Sequence, residues 1–142
     1  MRVAVRYYTK TGNTKKLADA VAQELGVEAK TTQEPIDEVT DLLFLGSSVY
    51  AAGVDSEVKT FIASLDPSKV KKVVAFSTAA LLPSTYSQVK QLLEKKGIEV
   101  SKEEFHCRGE FTIMNRGRPN HKDIGNAISF AKTFVGSFKN RL

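Results

Sequence analysis

The sequence predicts a doubly wound α/β fold: a five-stranded parallel sheet with helices on both faces. Three observations predict it. Short β-branched or apolar runs alternate with longer stretches of helical periodicity, as successive βα units require. The central run at residues 41–48 (DLLFLGSS) carries four consecutive apolar residues, which suits a strand covered on both faces. Between the first strand and the first helix lies a short hydroxyl-rich loop with one glycine, at a place where such folds bind ligands.

The elements follow in order. Residues 2–7 (RVAVRY) form the first strand, with Val3 and Val5 as its apolar pair. Leu17, Ala18, Val21, Ala22 and Leu25 fall at i, i+1, i+4, i+5 and i+8, one face of a 3.6-residue period. Gly26 follows directly and suits a helix C-terminal cap. A weak second strand is expected around residues 27–31. Pro35 makes the stretch beyond it irregular, with room for one short helical turn. Residues 41–48 are the third strand. A helix from Asp55 or Ser56 turns Val58, Phe61, Ile62 and Leu65 inward and is stopped by Pro67. Residues 73–77 (VVAFS) are the fourth strand. Ser84 is the expected N-cap of a helix carrying Val89, Leu92 and Leu93, closed by Lys95, Lys96 and Gly97. The fifth strand has two candidates, residues 98–100 and 105–107, which can be halves of one run. Asn120 and Asp123 make a capping-box-like start for the last helix, whose inward stripe is Ile124, Ala127, Ile128, Ala131, Val135 and Phe138. Right-handed crossovers then give the sheet order 2-1-3-4-5.

A chain of 142 residues fits one domain, residues 1–142, with a core that needs no staple. The apolar fraction of 42% and charged fraction of 26% exclude disordered, collagen-like and coiled-coil classes. One cysteine, Cys107, rules out an intrachain disulfide. The first apolar run is too short for a signal peptide, and no stretch is long enough to span a bilayer, so a cytoplasmic location is expected. The net charge of +5 suits a solvated lysine-rich surface, or docking to an acidic partner, a membrane surface or nucleic acid. No basic helix stripe with interleaved aromatics speaks for nucleic acid.

The chemistry concentrates in Thr9-Lys10-Thr11-Gly12-Asn13-Thr14. The loop has neither a dinucleotide fingerprint nor a Walker-type glycine-lysine pattern. It is well suited to a phosphate monoester. The following helix offers unpaired N–H groups and the positive end of its dipole. Thr9, Thr11 and Thr14 add hydroxyl donors, Asn13 an amide, and Gly12 a backbone able to turn close to the anion. The Lys10 side chain is expected in solvent. An ordinary N-cap cluster is the plainer reading of the same residues.

Thr9-x-Thr11-Gly12-Asn13-Thr14 resembles the phosphate-binding signature of the flavodoxin family, Ser/Thr-x-Thr-Gly-Asn-Thr. The order and lengths of the units are similar to those of a short-chain flavodoxin across essentially the whole chain. The resemblance implies a flavodoxin-like sheet with FMN bound non-covalently at the switch point between the first and third strands, a placement taken over from that family. It also implies that the loops after the third and fourth strands hold the isoalloxazine ring. The first is Gly46-Ser47-Ser48-Val49-Tyr50-Ala51-Ala52-Gly53, with Tyr50 in the aromatic stacking position. Gly53, or a neighbouring amide, is placed near flavin N5. The second loop follows Ser77, with the backbone amides of Thr78, Ala79 and Ala80 at the pyrimidine edge. It lacks the acidic residues and second aromatic that many flavodoxins carry here, although Tyr86 follows a few residues on. One flavin face is then open, to a substrate if there is one.

No catalytic side chain or metal site is expected. His106 and Cys107 adjoin on a strand and point to opposite faces. Cys107 reads as a small buried residue, and His121 as solvated in the first turn of the last helix. In the basic segment 108–119, Arg116 and Arg118, with Lys122 nearby, suit an acidic redox partner or an anionic substrate, or simply a solvated connection. The first functional expectation is an electron carrier that passes electrons through FMN to a partner protein. The second is an FMN-dependent oxidoreductase acting on a quinone, porphyrinogen or similar small molecule. The open flavin face, the basic segment and the positive charge keep the second in view beside the carrier, because flavodoxin carriers are usually acidic. The third is a non-flavin regulatory or nucleic-acid-binding module on the same scaffold.

Overall fold

The computed structural model describes residues 1–49, 53–79, 84–110 and 115–141, with Val49 described by its backbone only. The elements are β1 (Val3–Tyr7), α1 (Asn13–Leu25), β2 (Ala29–Thr31), β3 (Leu42–Val49), α2 (Ser56–Ser64), β4 (Lys72–Ala79), α3 (Tyr86–Lys95), β5 (Glu99–Val100), β6 (Phe105–Arg108) and α4 (His121–Asn140). All strand pairs are parallel, in the order β2-β1-β3-β4. Both β5 and β6 then pair with β4.

The order is therefore the expected one, with its fifth position filled twice. β5 pairs with Lys72 and Val73, and β6 pairs with residues 76–79 further along β4. The two candidates for the fifth strand are indeed halves of one line. Ser101 separates them: its hydroxyl accepts the Glu103 N–H at 3.0 Å, a local turn that competes with strand pairing.

Side chains alternate across each strand and so build two cores. Phe44, Val74 and Phe76 pack with Leu17, Val21, Ala131 and Phe134, on the face covered by α1 and α4. Leu43, Leu45 and Val73 pack with Val58, Ile62, Val89 and Leu93, on the face covered by α2 and α3. Phe44 meets Phe134 edge-on with ring centroids 6.1 Å apart. Phe134 is missing from the stripe expected for the last helix. Ala127, Ala131, Phe134 and Phe138 run i, i+4, i+7, i+11, and Ile128 falls half-buried on the flank.

The helix starts differ in one place from expectation. Asn120 and Asp123 form a full capping box on α4, and the Asp55 carboxylate accepts the Glu57 N–H at the start of α2. At α3, Thr85 rather than Ser84 occupies the N-cap, and the Ser84 hydroxyl accepts the Tyr86 N–H from one residue further out. Helix α2 ends at Ser64, before Pro67 is reached. Among the described residues no helix is long and apolar enough to cross a membrane.

Two features position the site. The register sets Tyr7 beside Gly46, and Ser47 and Ser48 beside Ser77 and Thr78, so the ends of β1, β3 and β4 share one edge. A Cβ at Gly46 would lie 2.5 Å from the Phe76 ring and 2.9 Å from Thr14 Cγ2, so the start of α1 rests directly on β3. Away from that edge, Arg6 is nearly buried and donates to the carbonyls of Val5, Glu34 and Pro35. Burial lowers its pKa, partly offset by Glu34 and Asp37. It pins the irregular stretch after β2 to the sheet.

Candidate functional site

The turn from β1 into α1 is built around an uncapped helix start. Gly12 is the N-cap residue with φ +91°, a left-handed conformation that glycine adopts without steric cost. Among the described residues no side chain caps α1. Its first-turn N–H groups are thus left to water or a ligand. The Thr9 hydroxyl accepts the Gly12 N–H at 3.0 Å, which closes the turn and leaves its own O–H to donate. Thr11 is exposed. Lys10 extends outward, with its ammonium 3.7 Å from the Asp55 carboxylate.

Asn13 and Thr14 are buried and already engaged. The Asn13 amide donates to the Glu110 carbonyl at 2.7 Å. The Thr14 hydroxyl lies 3.0 Å from the Thr78 hydroxyl and 3.4 Å from the Ser47 carbonyl. The turn is thereby fastened to β3, to β4 and to the segment after β6. Ser48 lies on the same face of β3 as Gly46, toward α1. Its hydroxyl is buried without a hydrogen-bond partner among the described residues, as is that of Ser77 on β4. An unsatisfied buried hydroxyl costs about 1–3 kcal/mol; of the two, Ser48 is the one on the face of the turn, while Ser77 alternates to the face of α2 and α3.

The loop after β3 is anchored at both described ends. The Ser47 hydroxyl pairs with that of Thr85 at 2.6 Å, which ties the loop's beginning to the start of α3. At its far end Gly53 has φ +102°, and a Cβ there would lie 2.9 Å from the Gln88 amide. The same amide accepts the Val54 N–H at 2.8 Å. Tyr50, Ala51 and Ala52 lie outside the described residues. So do Ala80, Leu81, Leu82 and Pro83 of the second loop. The backbone of Val49 pairs with Ala79, and the Ala79 carbonyl accepts the Gly109 N–H at 3.3 Å.

Sequence reasoning missed Gln88, Thr85 and Glu110. Each reaches the site from a distant element, and a polar residue on an amphipathic helix gives no sign of which backbone it will meet. Gly109 carried a signal: a glycine flanked by Arg108 and Glu110 marks a close approach, here to Asn13 and Thr78.

Beyond β6, Arg118 forms a bidentate pair with Asp123, at 2.5 Å and 2.8 Å. The guanidinium holds the Asp123 carboxyl below the usual carboxylate range. Arg118 is therefore turned to the start of α4, while Arg116 is exposed. Cys107 is half-buried rather than buried, and its thiol is pushed up to about 12, first by burial and then by the Asp123 charge. His106 stands exposed, with Nδ1 2.8 Å from Glu104. His121 is exposed at the first position of α4. No group of three His, Cys, Asp or Glu residues among those described is arranged to hold a metal.

Comparison with solved structures gives a consistent fold. A flavodoxin from the domain Archaea superposes with a TM-score of 0.78 at 18% identity, covering 98% of this chain and 99% of that one. Flavodoxin 2 from Bacillus cereus gives 0.72 at 18% identity, covering 96% and 99%. A flavoprotein from Lactobacillus acidophilus NCFM, solved in complex with FMN, gives 0.59 at 17% identity, covering 75% and 92%. No curated protein matches the chain. Its sequence matches the flavodoxin domain over residues 4–116, most of its length, and the chain belongs to that family.

Proposed function

We propose that the chain is an electron carrier that works through FMN. The cofactor is FMN, the flavin for which the family's phosphate turn and ring loops are shaped. The observation that carries the reading is the uncapped start of α1, set among threonine hydroxyls and beside the unpartnered Ser48. When bound, FMN supplies the one- and two-electron chemistry. The protein binds and orients it and tunes its potential.

The phosphate falls to Thr9, Lys10, Thr11, Gly12, Asn13 and Thr14. Backbone N–H groups of Asn13 and Thr14, the second N–H of the Asn13 side-chain amide and the hydroxyls of Thr9 and Thr11 are its donors; the Gly12 N–H is held by Thr9, and Lys10 adds charge from the rim. Thr14 serves differently from the plain expectation, because its hydroxyl is held by Thr78. Its backbone N–H is what remains for the anion. The ring falls to Ser47, Ser48, Val49, Tyr50, Ala51 and Gly53 on one side and to Thr78, Ala79 and Ala80 on the other. No side chain need act as acid or base. A redox partner docks beside Arg116, since Arg118 is occupied by Asp123.

Two measurements test this. Protein mixed with FMN and freed of excess by gel filtration should carry the spectrum of oxidised flavin; a colourless protein would end the reading. The alternative, an FMN-dependent oxidoreductase for a quinone or similar molecule, predicts steady turnover with a nicotinamide donor and a quinone in the absence of any partner protein. The carrier reading predicts no such turnover.

A further inference from the structure

Glu110 is held on three sides. Its N–H donates to the Arg118 carbonyl at 2.8 Å, its carboxylate accepts the Gly117 N–H at 2.8 Å, and its carbonyl accepts the Asn13 amide at 2.7 Å. Arg118 is in turn fixed to α4 by its two-pronged pair with Asp123, which also closes the capping box of that helix. Gly109 allows the approach: a Cβ there would lie 2.9 Å from Asn13 Nδ2 and 3.1 Å from Thr78 Cβ. An unbroken line of hydrogen bonds thus runs from the start of α4 to the start of α1, with Asn13 at its end.

We propose that Arg118 is a positioning residue for the anion site, setting through Glu110 the direction of the Asn13 amide. The inference rests on the FMN reading, since the anion is the FMN phosphate. An amide carries two N–H donors. With one held by the Glu110 carbonyl, the ring of allowed orientations collapses to one, and the second N–H is aimed before the ligand arrives. Preorganisation of this kind raises affinity by removing an ordering cost. It acts mainly on the phosphate: the line ends at the phosphate turn and touches neither Thr85 nor Gln88, and its neighbour Gly109 meets the ring side through the Ala79 carbonyl at the longer distance of 3.3 Å.

The test compares FMN with riboflavin, which has the ring but no phosphate, by quenching of flavin fluorescence. Arg118→Lys keeps the charge but loses the fork. It should weaken FMN by about fivefold, within the usual coupling inside one hydrogen-bonded network, and leave riboflavin within about twofold. In an Asn13→Ala background the same substitution should have no further effect on FMN. Glu110→Ala strips Gly117 of its acceptor without touching α4, and should act in the same direction. Equal weakening of both flavins, or an Arg118→Lys effect undiminished without Asn13, would overturn the inference while FMN binding itself stood. A wild-type chain that binds neither flavin would overturn the FMN reading and this inference with it.

Discussion

Two threonines three residues apart should fail in opposite ways. Thr14 is 0% exposed, with its hydroxyl 3.0 Å from that of Thr78, itself 2% exposed. Thr14→Ala removes the hydroxyl and leaves Thr78 buried without this partner, at about 1–3 kcal/mol. The lost methyl, packed where Gly46 and Phe76 meet, adds about 0.8 kcal/mol. A total of about 2–4 kcal/mol is a large share of the roughly 5–15 kcal/mol that holds a domain folded. Thr11 is exposed, so Thr11→Ala should change folding by less than about 0.5 kcal/mol. On the proposed reading its hydroxyl donates to a charged phosphate, worth about 1.5–3 kcal/mol, or about 10- to 150-fold in affinity. Urea unfolding of the FMN-free protein and FMN titration of both variants form the assay. Wild-type stability in Thr14→Ala would refute the packing described for the start of α1. Wild-type FMN affinity in Thr11→Ala would refute the role given to the turn.

Three further outcomes follow from particular contacts. Gly46→Ala forces a methyl against Phe76 and Thr14 and should lower stability by about 1–3 kcal/mol in urea, with partial recovery when Phe76→Leu is added. The Asp123 carboxyl titrates below its unfolded value, so its contribution is complete above about pH 5 and fades as pH falls through the ordinary carboxylate value of about 3.9 and below. The stability gap between wild type and Arg118→Ala should accordingly narrow in urea melts taken from pH 6 down to 3, and a gap constant with pH would contradict the pairing. Cys107, with its thiol pushed up to about 12, should react with iodoacetamide at pH 8 about a hundredfold more slowly than a free cysteine. Labelling at the free-thiol rate would show a far more open strand edge.

The layered fold was legible because it is written in local patterns. The apolar run of β3, the stripe of α1 and the Asn120/Asp123 box each need only near neighbours in sequence. The turn proposed to hold the phosphate was legible as a turn for the same reason, since Gly12 and its threonines are contiguous. What escaped was long-range. Nothing in the sequence ties Asn13 to Glu110, 97 residues away, or Gly53 to Gln88 on another helix. Nothing in the strand pattern marked Arg6 as the residue that the irregular stretch after β2 closes over. Arg118 read as a docking charge because Asp123 was assigned to its own helix cap alone. It serves both.

The account depends on the start of α1 holding the dianion of a phosphate monoester. Free FMN loses its second phosphate proton near pH 6. Donors converging on the dianion lower that value when FMN is bound. Phosphorus NMR of the FMN complex between pH 5 and 8 measures it directly. A bound resonance that stays at the dianion position throughout is the predicted result; a bound resonance that titrates as free FMN does would contradict it.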